Sequence, residues 1–177
     1  VKKKIKRIII EKVNKFHTQT LSIKPEIKFT NQKIKFGNAF HDFMSRILYV
    51  SDYKKEAEIF MKLNFIDLEV KKQILLVSKQ LINHPNLKKH FLSNNSVVCE
   101  KEIFVDNGKP IRPDRIVFNE NKQIVVIDYK TGERSNKDEN QIKKYRQILS
   151  KMGYKVNKTV LIYVSANNND IDIVSNK

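Results

Sequence analysis

The sequence predicts a mixed α/β fold, a central sheet flanked by helices, and three observations predict it. Between residues 36 and 92 apolar side chains recur at three- and four-residue spacing, the period of helices packed on one face. From residue 97 the pattern changes to short apolar runs separated by turn residues, the signature of strands. A single amphipathic helical stretch at 136–152 then lies between two apolar strands. Helices first, then strands with one helix between them, give a sheet covered by helices.

The elements follow in order. Residues 1–35 hold eleven Lys/Arg against only Glu11 and Glu26, a net of +9. Apolar positions there lack a clean period, and Pro25 interrupts them. The segment is a DNA-facing arm, a linker from a preceding domain, or a solvated edge. Gly37 to Tyr49 is a helix, with Phe36, Phe40, Phe43, Met44, Ile47 and Leu48 as its apolar stripe and His41 beside it. Lys54 to Leu63 is a second helix. Asp67 to Ile82 is a third, with Asp67 as N-cap, Leu68, Ile74, Leu75, Val77, Leu81 and Ile82 as its apolar positions, and Pro85 beyond its end. Asn86 to Leu92 adds a short helical piece.

Val97 to Val105 is the first strand, and Asp106-Asn107-Gly108 supplies turn chemistry after it. Ile111 to Phe118 is the second strand, followed by a turn at Asn119-Glu120-Asn121. Gln123 to Tyr129 is apolar almost throughout, as a central strand buried on both faces should be. Asn136 to Met152 is the amphipathic helix, with Ile142, Tyr145, Ile148, Leu149 and Met152 on one side and Gly153 as its stop. Val156 to Val164 is a further strand, and Asp170 to Val174 is an edge strand.

Composition bounds the function. At 177 residues the chain is one domain with room for a real core. Its net charge of +16 favours polyanions and speeds encounter with nucleic acid, although a lysine-rich AT-biased genome would supply part of it. Cys99 is the only cysteine, which excludes an intramolecular disulfide and a cysteine-rich zinc site. No apolar run approaches the roughly 20 residues of a membrane span, and Ile8-Ile9-Ile10 is too short for a secretory core. The chain begins at Val1, as a processed chain or a piece of something longer would.

The chemistry concentrates between Arg112 and Tyr145. Asp114 and Asp128 lie at or near the ends of two predicted hairpin strands, so pairing can bring them side by side. Two close carboxylates both ionise only with a cation between them, and hard oxygen ligands select Mg²⁺ or Mn²⁺. Lys130 is two residues past Asp128, on the same face of a strand, where an ammonium can position water or offset phosphoryl charge. Singly, each aspartate reads as a solvated turn residue; the pair with Lys130 does not. His41 can complete a metal shell from a neighbouring helix, or sit as an ordinary boundary histidine. Gln141 and Tyr145 are i, i+4 on one helix face, able to hold phosphates or a base, or to serve the core. His17, His84 and His90 lack metal-site spacing; His84 and His90 read as structural or exposed.

Taken together, Gly37-x-x-x-His41, the glutamate strand at Glu100 to Phe104, Arg112-Pro113-Asp114-Arg115, Ile127-Asp128-Tyr129-Lys130-Thr131-Gly132 and Gln141-x-x-x-Tyr145 resemble the RecB/AddA-like branch of the PD-(D/E)xK nucleases. Asn83-His84-Pro85 and Met152-Gly153-Tyr154 look like the nuclease domain at the carboxyl end of bacterial UvrD-type helicases. The resemblance covers roughly residues 36–165 and leaves 1–35 outside it. It implies a restriction-endonuclease-like core with an N-terminal helical block, a nuclease domain at 36–177, and a basic arm or linker from a helicase domain at 1–35. Val1 then becomes a cut point.

The resemblance also implies roles. His41, Asp114 and Asp128 would bind Mg²⁺ or Mn²⁺ with the Tyr129 carbonyl, and Lys130 would be the catalytic lysine. Gln141, Tyr145, Arg112 and Thr131 would support the site and contact DNA. Glu100 would be the motif glutamate, with Glu102 as its rival. Many relatives hold an iron–sulfur cluster on four cysteines; with one cysteine, none is expected here. The implied partners are DNA, as single-stranded ends, a helicase motor in the same full-length chain and a second subunit. No membrane is implied, and the setting is the bacterial cytoplasm. No Gly-x-x-x-x-Gly-Lys-Ser/Thr loop is present, so this chain alone should not hydrolyse ATP. The expected activity is exonucleolytic DNA end processing in recombination and repair. The rivals are a non-catalytic DNA-guiding or partner-docking module of the same fold, and a stand-alone exonuclease of the same superfamily.

Overall fold

A computed structural model describes residues 32–104, 110–119, 123–165 and 170–176, with side chains from residue 35 onward. Three helices come first: α1 (Gln32–Arg46), α2 (Tyr53–Met61) and α3 (Leu68–Asn83), with short 3-10 turns at Val50–Asp52 and Lys88–Phe91. Strands β1 (Ser96–Cys99), β2 (Arg115–Phe118) and β3 (Gln123–Lys130) follow, then α4 (Asn136–Lys151), β4 (Lys155–Val164) and β5 (Ile171–Asn176). The five strands lie in chain order. Strands β1, β2 and β3 are antiparallel neighbours; β4 runs parallel to β3 across the α4 crossover, and β5 returns antiparallel. This is the expected mixed sheet with flanking helices, the restriction-endonuclease-like arrangement.

The two faces of the sheet are covered by different helices. Phe36, Phe40, Phe43, Met44 and Ile47 of the α1 region pack with Val117, Val125, Ile127, Val160 and Ile162 on one face. On the other face Tyr145 and Leu149 of α4 pack on Ile116, Ile124 and Val126, and Ile142 packs on Leu161 and Tyr163. Residues Ile124 to Tyr129 are all buried, so β3 is the central strand its apolar run predicts.

Differences from the sequence expectations are local. Helix α1 begins at Gln32, ahead of Gly37. Leu68, expected on the apolar face of α3, is half exposed in its first turn. Asp67 sits at the N-cap of α3 but makes no side-chain cap bond. The first two strands are shorter than expected: β1 ends at Cys99, where Glu100 turns into a left-handed conformation (φ 50°), and beyond it, among the described residues, Ile103 and Ile111 form an isolated bridge. The turn at Asp106–Gly108, the residues 120–121 and the arm up to residue 31 lie outside the described residues.

Helix α4 is closed at both ends by local chemistry. The Ser135 hydroxyl accepts a hydrogen bond from Lys137 N at its start. At its end Gly153 takes φ 90°, Gly153 N donates to Ser150 O and Tyr154 N to Leu149 O. That pairing satisfies two carbonyls left open by the helix, and it fixes where β4 begins.

Candidate active site

The site is a product of strand register. Cys99 pairs with Arg115 and Arg115 with Ile127. One residue further along each strand, Glu100, Asp114 and Asp128 fall in one row across β1, β2 and β3. Glu100 N donates to Asp114 O at 3.1 Å, and Tyr129 N donates to Asp114 Oδ2 at 2.6 Å. The row therefore stands at the sheet end, held by the backbone of both neighbours.

Each layer adds side chains to this end. From α1, His41 Nδ1 lies 3.3 Å from Asp114 Oδ1 and 3.8 Å from a Glu100 oxygen. His41, Glu100 and Asp114 present ligand atoms all within 4.8 Å of one another. Helix α1 comes this close because Gly37 has no side chain; a Cβ there would lie 2.7 Å from Thr131 Oγ1. On the α4 side, Lys130 Nζ lies 2.7 Å from Asp128 Oδ2 and donates to Gln141 Oε1 at 2.7 Å. Gln141 Nε2 donates to the Tyr145 hydroxyl at 2.5 Å, and that hydroxyl donates to Arg112 O at 3.4 Å. Arg112 Nε in turn pairs with Glu100 at 3.1 Å.

The electrostatics are those of crowded carboxylates. Asp128 is buried (2% exposed), and its carboxyl is pushed up to about 6 by burial and then by the Asp114 charge, against the pull of Lys130. Burial alone would lower His41, but its contacts with Asp114 and Glu100 outweigh that and raise it to about 9. Burial opposes the Lys130 charge as well, and Asp128, Asp138 and Asp114 together reverse it, so the ammonium form is favoured. Tyr145 is raised to about 12, by burial and then by the nearby Asp128 charge.

This donor set fits a hard divalent cation. Two carboxylates and an imidazole converge at His41, Glu100 and Asp114, and the neighbouring Asp128 Oδ2 is buried with an ion pair to Lys130 but no well-aligned hydrogen bond. The protonated His41 supplies positive charge among acids that a cation would otherwise supply. The sheet register brings Glu100 into the cluster, whereas Glu102 is exposed. Asp128 stands one strand further, against Lys130. Among the other expected residues, Thr131 lies beside Gly37, and Arg112 is more than half exposed at the rim. His90 is buried and held at about 4 by burial and neighbouring cations, and His84 Nδ1 accepts from Asn86 N, so both are structural.

Two residues escaped the sequence reading. Arg115, in the Arg-Pro-Asp-Arg motif, is fully buried on the α1 face and bonds the carbonyls of Ile47, Leu48 and His90, with its guanidinium 4.0 Å over Phe91. Nothing in the strand pattern marks it as an anchor for the end of α1. Asp138 of α4 lies 3.7 Å from Lys130 Nζ. Its signal was available: Asp138, Gln141 and Tyr145 are i, i+3, i+7 on one helix face.

Fold and cluster together define a restriction-endonuclease-like α/β protein with acids, a histidine and a lysine at one end of its sheet. Residues 15–169 match the family described as the PD-(D/E)XK nuclease superfamily, and the chain belongs to that superfamily. Its members are generally metal-dependent nucleases. No curated protein matches the chain at a significant level. One solved structure, that of SSO0001, is similar at 19% sequence identity, covering 97% of this chain and 77% of that one with a TM-score of 0.31.

Proposed function

We propose that the chain is a Mg²⁺- or Mn²⁺-dependent DNA nuclease domain of the RecB/AddA-like kind, spanning residues 36–177. In this reading it trims single-stranded ends delivered by a helicase motor in the same full-length chain, in recombination and repair. The observation that supports it is the row Glu100–Asp114–Asp128 with Lys130 two residues past the last acid. His41, Asp114 and Asp128 hold the cation together with the Tyr129 carbonyl, and Glu100 stands beside them. Bound there, a divalent ion supplies charge that polarises a phosphoryl oxygen and lowers the pKa of water.

The chain's own groups do the rest. Lys130, kept as an ammonium by its acidic neighbours, places positive charge where phosphoryl charge develops. Gln141 and Tyr145 hold that lysine from α4, each donating to the next group in line. Arg112 and Thr131 sit at the rim, available to a phosphate backbone. A DNA ladder assay tests the reading: full-length protein, an end-labelled single strand and Mg²⁺ or Mn²⁺, with and without chelator. Shortening of the strand that stops on chelation is expected, and a strand left intact under both metals contradicts it.

A further inference from the structure

Lys130 has a partner outside the carboxylate row, and that partner is itself tied down. Asp138 lies in the first turn of α4, where an aspartate ordinarily turns back to the helix amides. Here its two oxygens face elsewhere. Oδ1 is 3.7 Å from Lys130 Nζ, and Oδ2 accepts a hydrogen bond from the Tyr163 hydroxyl at 3.2 Å. Tyr163 is paired with Lys130 in the β3–β4 register, so lysine and tyrosine project from adjacent strands at one level. The Asp138 carboxylate bridges them from above, with its side chain only 17% exposed.

The placement solves a problem the carboxylate row creates. Asp128 holds Lys130 at 2.7 Å, yet in the proposed function the Asp128 carboxylate serves the cation. A lysine held by Asp128 alone would lose its anchor when the site is loaded. Asp138 and Gln141, both on α4, keep their hold whichever partner Asp128 takes. We propose that Asp138, steadied by Tyr163, is a positioning residue that fixes the Lys130 ammonium for phosphodiester cleavage. The inference rests on the nuclease reading above.

The test is cleavage kinetics of the full chain on an end-labelled single strand with Mn²⁺, for wild type, Asp138→Asn, Asp138→Glu, Tyr163→Phe and the double variant Asp138→Asn with Tyr163→Phe. Asp138→Asn keeps the shape, removes the charge and turns one acceptor oxygen into an amide donor. Its kcat is expected to fall about 10- to 100-fold, the usual penalty for a partner that orients a site residue. KM, Mn²⁺ affinity by calorimetry and melting temperature should stay within about twofold or a degree or two of wild type, because the ground-state site is intact. Asp138→Glu should recover part of the loss. The double variant should be no slower than Asp138→Asn, since both changes act through one ammonium. An unchanged kcat in Asp138→Asn overturns the inference, as does a loss of kcat matched by weaker Mn²⁺ binding or a lower melting temperature. A wild-type protein that cleaves nothing overturns the nuclease reading itself, and this inference with it.

Discussion

At the scale of single residues, the proposed cation would compete with protons for one set of ligands. His41 is raised to about 9 by Asp114 and Glu100 once they outweigh its burial, so at neutral pH the imidazole must give up a proton to coordinate. Metal affinity should therefore rise with pH, by about tenfold per unit up to 9 for each proton displaced. Calorimetry in buffers of different ionisation enthalpy would read that proton release directly, and a pH-independent affinity would remove His41 from the ligand set. Without metal the sign reverses. Asp128 has a folded pKa near 6, above its unfolded value, so the native state holds the extra proton and stability falls as pH rises from about 4 to 6. His41 also has a raised folded pKa, so its contribution is complete below about 6.5 and is lost as pH climbs through 9. Melting curves in chelator should fall across both windows, and added Mn²⁺ should flatten them. The aspartates and the lysine were legible in the sequence because strand alternation fixes what i and i+2 share. Alternation could not choose Glu100 over Glu102, which are two residues apart; the pairing of Cys99 with Arg115 sets Glu100, not Glu102, level with Asp114.

At the scale of elements, the site depends on how closely α1 approaches the end of β3. Gly37 sits in the α1 helix, and a Cβ on it would lie 2.7 Å from Thr131 Oγ1. Gly37→Ala should destabilise the protein by about 1 kcal/mol, the contact outweighing the helix propensity of alanine. In a Thr131→Ala background the same substitution should become stabilising by about 0.5–1 kcal/mol. Denaturant unfolding of the four proteins checks the change of sign. Arg115 ties the residues just past α1, through the carbonyls of Ile47 and Leu48, to the 3-10 turn at Lys88–Phe91, through that of His90. Its replacement by alanine should cost about 3–5 kcal/mol in chemical unfolding, because buried acceptors lose their donor together. Lysine should rescue little, lacking the planar fork. The helices, β3 and β4 were legible from period and run length, and Gly153 was legible as a stop. The ends of β1 and β2 were not: Glu100 leaves the strand conformation to present its carboxylate, and no residue type there announces a turn. Arg115 was hidden because a buried arginine and an exposed one look alike in an alternating strand.

At the scale of the whole molecule, the chain carries a net charge of +16. Binding of single-stranded DNA should weaken by roughly 10- to 100-fold between about 50 and 200 mM salt, as expected for a handful of phosphate contacts. Fluorescence anisotropy with the Asp128→Ala protein measures this without cleavage, and a salt-independent affinity would contradict a phosphate-led encounter. Among the described residues no helix is long and apolar enough to cross a membrane. The decisive measurement is end-labelled single-stranded DNA incubated with Mn²⁺ and wild type, Asp128→Ala or Lys130→Ala. The wild-type protein should degrade the strand, and each variant should lose about a hundred- to a thousandfold of that rate, as when charge stabilisation at a reacting group is removed. Activity that survives in both variants would place the chemistry elsewhere in the chain.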